Sequence, residues 1–253
     1  MSNVHELMRQ VARKTARKQV APVAALLLLV GACAEPAPSA AQDEPQPEAE
    51  AAPGPPQPMD FGPVEIGTAP ENPYSAEQVA RGGYLATFGG CNDCHTPWNI
   101  DATTGMPMPD MSRMLSGHPR SAPDPVGELG AGDTALIGPS FTSFAMPFGT
   151  VYALNLTPDI DTGSGTWTEE MFMGMFRRAK HLGGEGRPVL PPMPWPSVAS
   201  LTNEDIVAIF AFLRSIPPIV NAVPSSEIPP PVLDAIDQAN AGILEQMRAA
   251  GSQ

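Results

Sequence analysis

The 253-residue sequence is short of cysteine, of aromatic side chains (6%) and of cations. Its three cysteines are Cys33, Cys91 and Cys94. Two of them share one short motif and the third lies near the N-terminus, so no pair is left for a disulfide. Packing and any bound group must therefore stabilise the fold. Lys and Arg number 14 against 27 Asp and Glu, a formal net charge of −13. Five of those cations (Arg9, Arg13, Lys14, Arg17, Lys18) but one acid, Glu6, fall in residues 1–32. Beyond them, 9 Lys/Arg face 26 Asp/Glu. So acidic a chain is not expected to bind nucleic acid or anionic lipid. The acids keep it soluble or steer a basic partner. Proline (32) and glycine (23) are abundant and exceed a fifth of the chain, which marks much of its length as linker.

The N-terminal region reads as an export signal. Residues 1–19 are basic, and the apolar run Val20 to Val30 is about 11 residues long, short of the ~20 that span a bilayer. It ends in Val30-Gly31-Ala32-Cys33, which resembles the lipobox of bacterial lipoproteins. That resemblance implies lipidation of Cys33, a lipid anchor in a bacterial membrane and a domain facing the periplasm. The alternatives are a plain signal peptide or an uncleaved anchor. No Arg-Arg pair points to the twin-arginine route. Residues 33–70, almost wholly Ala, Pro, Glu, Gln and Gly after the cysteine, are expected to be a disordered tether.

The chemistry is concentrated in Cys91-Asn92-Asp93-Cys94-His95. In an exported chain, C-x-x-C-H is the haem c attachment pattern. Two thiols three positions apart can each add to one vinyl group of the haem, and the adjacent imidazole reaches the iron. Zinc would need two further ligands, and the sequence has no second CxxC and no His pair. A thioredoxin-like redox pair would need alternating strands and helices, which are not evident. One covalent haem c is therefore the expected cofactor, with Cys91 and Cys94 as attachment points and His95 as proximal ligand.

The sixth ligand determines what such an iron does. Met193, in Pro191-Pro192-Met193-Pro194-Trp195, is held by prolines on both sides, so a thioether there loses little entropy on binding. Met146 is the next candidate, and His118 and His181 are expected at the surface.

Helices are expected from Ser75 to Phe88, from Glu169 to His181 with Thr168 as N-cap, and from Thr202 to Ile216, stopped by Pro217-Pro218. Gly82 and Gly83 would let a second helix approach the first. Met171, Phe172, Met175 and Phe176 have the spacing of a buried helix face, and the basic run Arg177 to His181 ends that helix beside a haem carboxylate, an acidic partner or plain solvent. Asp159, Asp161 and Glu170 fit three positions of a calcium loop, but Gly163 and Ser164 break the motif, which favours a turn. Thr96 to Val151 reads as a long irregular loop. Val232 to Ala250 reads as an amphipathic helix that packs on the domain, docks on a partner or stays loose.

The motif resembles c-type cytochromes. Asn155-Leu156-Thr157-Pro158-Asp159, Trp167-Thr168, the Met193 segment and Ser200-Leu201-Thr202 resemble the cytochrome subunits of membrane-associated bacterial alcohol and gluconate dehydrogenases. Those subunits typically carry three C-x-x-C-H motifs and this chain has one, so the likeness is to a single module. It implies an all-α, cytochrome c-like domain over residues 71–220, followed by a Pro-rich tail at 221–253. The helix before the motif should then cross the domain's last helix. A carbonyl at Gly138-Pro139 should accept a hydrogen bond from His95. The implied function is single-electron transfer with no catalytic residue, as a monohaem carrier in a respiratory chain. The alternative is the electron-accepting subunit of an alcohol, sugar or aldehyde dehydrogenase, and a haem sensor or peroxidase-like protein ranks behind both. Implied partners are a dehydrogenase, a cytochrome complex or a terminal oxidase.

Overall fold

The computed structural model describes residues 57–125, 135–184 and 186–251. The signal region, Cys33 and most of the tether lie outside the described residues.

The first helix, α1 (Ala76–Phe88), starts at a complete capping box: the Ser75 hydroxyl accepts from the Gln78 N–H and the Gln78 side chain accepts from the Ser75 N–H. A one-turn helix, α2 (Cys91–His95), follows directly. α3 (Glu169–Arg178) is capped by the Thr168 hydroxyl and stops three residues before the expected end, where Ala179 takes a left-handed φ of 53°. A short α4 (Trp195–Ala199) leads into α5 (Asn203–Leu213), capped by Thr202, and α6 (Pro230–Ala249) ends the domain.

α1 and α5 form the principal helix pair, joined at the rim by a bidentate Arg81–Asp205 ion pair. Their approach depends on Gly82: a Cβ there would lie 1.7 Å from the Ala208 carbonyl oxygen. α3 packs on the other flank of α5, with the Phe172 and Phe210 rings stacked at 5.2 Å and Phe176 edge-on to Phe172. Ile206, Ile209, Leu213 and Leu85 complete this core.

The domain is not all-α. Residues 96–152, expected as an irregular loop, hold five short strands. β1 (Trp98–Ile100) pairs antiparallel with β2 (Pro107–Pro109). β3 (Leu136–Ile137), β4 (Ser143–Met146) and β5 (Gly149–Tyr152) form an antiparallel sheet in that order. The strands are two to four residues long and interrupted by Pro and Gly, too short to show a two-residue hydrophobic alternation.

The end of the expected tether is part of the fold. Ile66 bridges Ile219, the Gly67 N–H donates to the Pro218 carbonyl, and the Val220 N–H donates to the Glu65 carbonyl. The C-terminal helix also packs on the domain: Leu244 enters the core and Lys180 pairs with Asp237 at 2.7 Å. Among the described residues no helix is long and apolar enough to cross a membrane.

Gly82→Ala gains ~1 kcal/mol of helix propensity but forces backbone against backbone, where overpacking costs on the order of 1–3 kcal/mol. Urea unfolding of Gly82→Ala should show a net loss of stability. Gly83→Ala, whose Cβ would meet the Phe212 ring at 3.2 Å, should be near neutral. A stabilised Gly82→Ala would contradict this packing.

Candidate functional site

The left-handed Gly90 (φ 69°) turns the chain from α1 into α2. Within that single turn Cys91 and Cys94, three positions apart, share one face, and both thiols are free. Burial pushes Cys91 up to about 11, with Asp93 and Cys94 adding to the effect. Burial and then Asp93 also raise Cys94. Both are neutral thiols at pH 7. A dithiol redox pair needs a lowered pKa, so the geometry argues against that chemistry.

The His95 Nδ1 lies 2.8 Å from the Leu154 carbonyl oxygen. A carbonyl can only accept, so Nδ1 carries the proton and the lone pair of Nε2 is left for a metal. Burial lowers the pKa of His95, partly opposed by the Leu154 bond, and the ring is in its neutral, ligating form. The expected acceptor at Gly138-Pro139 is thereby corrected. Pro139 is exposed, and the Gly138 N–H is occupied by the Ser143 carbonyl in the sheet turn.

Leu154 is placed by its neighbours. The His118 N–H donates to the Ala153 carbonyl and the Leu156 N–H to the Leu115 carbonyl, bracketing residue 154. Close approach here requires Gly117 (φ 77°), whose Cβ would lie 2.5 Å from the Leu154 carbonyl carbon. Asn155 and Thr157 are buried and fasten the other side. Asn155 Nδ2 donates to the Ile219 carbonyl, and the Thr157 hydroxyl accepts from the Ile219 N–H. The Asn-Leu-Thr-Pro-Asp run is thus a polar knot beside the His95 acceptor. Asp159, buried in the same knot, accepts from Thr68 and Thr162 through its two oxygens, which supports the turn reading over calcium.

These elements enclose an apolar cleft of about 260 Å³. Cys91, Cys94, His95 and Met193 all line it, so the structure gathers four predicted residues in one place. Val151, Leu156, Met175, Ile209 and Leu213 supply apolar wall. Met146 is not among the lining residues. The two other histidines differ from expectation. His118 is 1% exposed, its Nδ1 2.9 Å from the Thr142 hydroxyl, away from the cleft. His181 is half-buried in the cleft wall against Trp167, and its Nε2 is buried with no partner. Burial and then the Arg187 charge push its pKa down to about 4. Arg187 also lines the cleft. The basic run ending α3 makes local contacts instead: Arg177 donates to the Ala199 and Leu201 carbonyls, Arg178 to the Gly183 carbonyl, and Lys180 to Asp237. The cleft suits a flat apolar cofactor with a central metal and an acidic edge: two thiols, one imidazole nitrogen and one thioether, with His181 and Arg187 as polar donors.

No protein-family model matches the chain. Curated relatives are found. The gluconate 2-dehydrogenase cytochrome c subunit of Pantoea cypripedii is 29% identical over 155 residues, 61% of this chain and 27% of that protein. The alcohol dehydrogenase (quinone), cytochrome c subunit, of Gluconobacter oxydans is 30% identical over 149 residues, 59% of this chain and 23% of that one. The chain's relatives are cytochrome c subunits of dehydrogenases. A nicotinate dehydrogenase component of Pseudomonas putida, 28% identical over 155 residues, extends the set, with 10% of its length covered. The chain spans about a quarter or less of the length of these relatives.

Three site features were not anticipated from sequence: the Leu154 carbonyl, His181 and Arg187. A backbone acceptor has no side-chain signature, although the Asn155–Asp159 run beside it was visible. Among the described residues no group of His, Cys, Asp and Glu could hold a metal ion by itself. A chelator should therefore leave the melting temperature unchanged, and a fall on chelation would revive a zinc or calcium site.

Proposed function

We propose that the chain is an electron-transfer cytochrome c module that accepts electrons from a dehydrogenase. One haem c occupies the cleft, bonded through Cys91 and Cys94, with His95 and Met193 as axial iron ligands. The observation that carries this reading is the free Nε2 of His95 in a cleft shared with two neutral thiols and Met193. Haem, when bound, supplies one-electron chemistry through Fe(II) and Fe(III). The chain's own residues do the rest. Leu154 holds the His95 ring and its tautomer, apolar walls exclude water, and His181 and Arg187 receive the haem carboxylates. A His/Met pair closes both axial positions and raises the potential, which suits transfer through the haem edge and leaves no position for a substrate.

The names of the relatives favour a dehydrogenase partner over an independent carrier, the reading placed first on sequence alone. An alcohol, sugar or aldehyde dehydrogenase is the proposed electron donor, with a cytochrome complex or terminal oxidase downstream. Export and lipidation at Cys33 belong to the same proposal and rest on the basic and apolar N-terminal run.

Reduced-minus-oxidised spectra and carbon monoxide binding test the ligation. Wild-type ferrous protein should resist carbon monoxide, and Met193→Ala should bind it at once. An identical response from both would exclude Met193 as ligand and favour the sensor or peroxidase-like reading. Purification of the tagged full chain from native membranes tests the partner. A flavin or quinoprotein dehydrogenase should accompany it, and the dehydrogenase substrate should reduce its haem. A chain that is recovered alone and exchanges electrons with an oxidase only would be an independent carrier.

A further inference from the structure

Behind the Met193 segment, on the side away from the cleft, lies one buried carboxamide. Asn240, at the middle of α6, is 6% exposed and does not line the cleft. Its Oδ1 accepts from the indole Nε1 of Trp195 at 3.2 Å. Its Nδ2 donates to the Val189 carbonyl at 3.0 Å. Val189 and Trp195 bracket the turn that carries Met193, in which the Met193 N–H donates to the Leu190 carbonyl and the Trp195 N–H to the Met193 carbonyl. One side chain therefore ties the two ends of that turn together.

We propose that Asn240 is a positioning residue for Met193, and that α6 is the strut that holds the iron's sixth ligand in place. This rests on the proposed His95/Met193 ligation. The proline-flanked turn is stiff within itself but has no regular hydrogen-bonded frame, so its position depends on what fixes its ends. Val189 and Trp195 are 8% and 3% exposed and are anchored against the core on one side. Asn240 supplies the anchor on the other. Leu244 in the core and the Lys180–Asp237 pair keep α6 seated over the turn. Supporting groups of this kind set how tightly a ligand is held. Loss of the carboxamide leaves the Trp195 N–H buried without a partner, a greater penalty than losing a solvated bond.

The test uses the full haem-loaded chain with Asn240→Leu, which keeps bulk and removes both bonds, and Trp195→Phe, which keeps the ring and removes one. Both should retain covalent haem. The fraction of ferrous protein that binds carbon monoxide at once should rise about tenfold in Asn240→Leu, with a smaller rise in Trp195→Phe, and the reduction potential should fall in both. Asp237→Asn, which loosens α6 at the surface without touching the turn, should match wild type in spectrum and potential. Wild-type potential and carbon monoxide resistance in both variants would overturn the proposal. If Asn240→Leu does not fold, Trp195→Phe decides alone. Met193→Ala separates the two claims. If it too leaves carbon monoxide binding unchanged, the ligation itself falls. If it opens the iron while the other variants do not, only the role of Asn240 falls.

Discussion

The hydrogen bond between the His95 ring and the Leu154 carbonyl is the constraint on which the rest of the site depends. It puts the proton on Nδ1 and leaves Nε2 to the cleft, so one weak contact decides whether the imidazole can ligate a metal. Much of the surrounding fold keeps that carbonyl in place. Gly117 lets the chain pass within contact of residues 153–155, and the buried amide of Asn155 reaches across to the Ile219 carbonyl. The segment after α5 then closes over residues 65–67 and is held by Asn221, which donates to the Ser116 and His118 carbonyls. Contacts far apart in sequence thus converge on one acceptor.

The opposite wall is built on a different principle. The Met193 turn is stiffened by prolines and carries few backbone bonds of its own, so its position is set by side chains packed behind it. The two walls differ in how they would fail. Loss of the knot at residues 155–159 would free the His95 ring while leaving the thiols where they are. Loss of support behind Val189 and Trp195 would free the thioether alone. A cleft with a firmly held nitrogen and a separately braced sulfur can keep both axial positions of an iron closed. That property separates an electron-transfer site from one open to substrate.

The parts legible in the sequence were those in which local chemistry and final structure coincide. Ser75, Thr168 and Thr202 cap helices because each hydroxyl meets an N–H three residues on, a relation contained in a few consecutive residues. The C-x-x-C-H turn and the proline-flanked Met193 were legible for the same reason. The strands of residues 98–152 were not, because two to four residues between Pro and Gly carry too little periodicity to distinguish a hairpin from a loop. His118 and His181 were expected at the surface from polarity alone. His118 is buried because Thr142 and the Tyr152 ring take it in, and His181 because the cleft does. The tether ended earlier than composition implied, since a single Ile66–Ile219 bridge and its flanking bonds are enough to fix the backbone there.

Covalent attachment of one haem through Cys91 and Cys94 is the central claim, and the intact mass of the purified chain after acid-acetone extraction tests it most directly. The account predicts a red polypeptide heavier than its apoprotein by one haem, with Cys91 and Cys94 unreactive to alkylation after unfolding. A colourless chain of bare polypeptide mass, with both thiols open to alkylation, would contradict it.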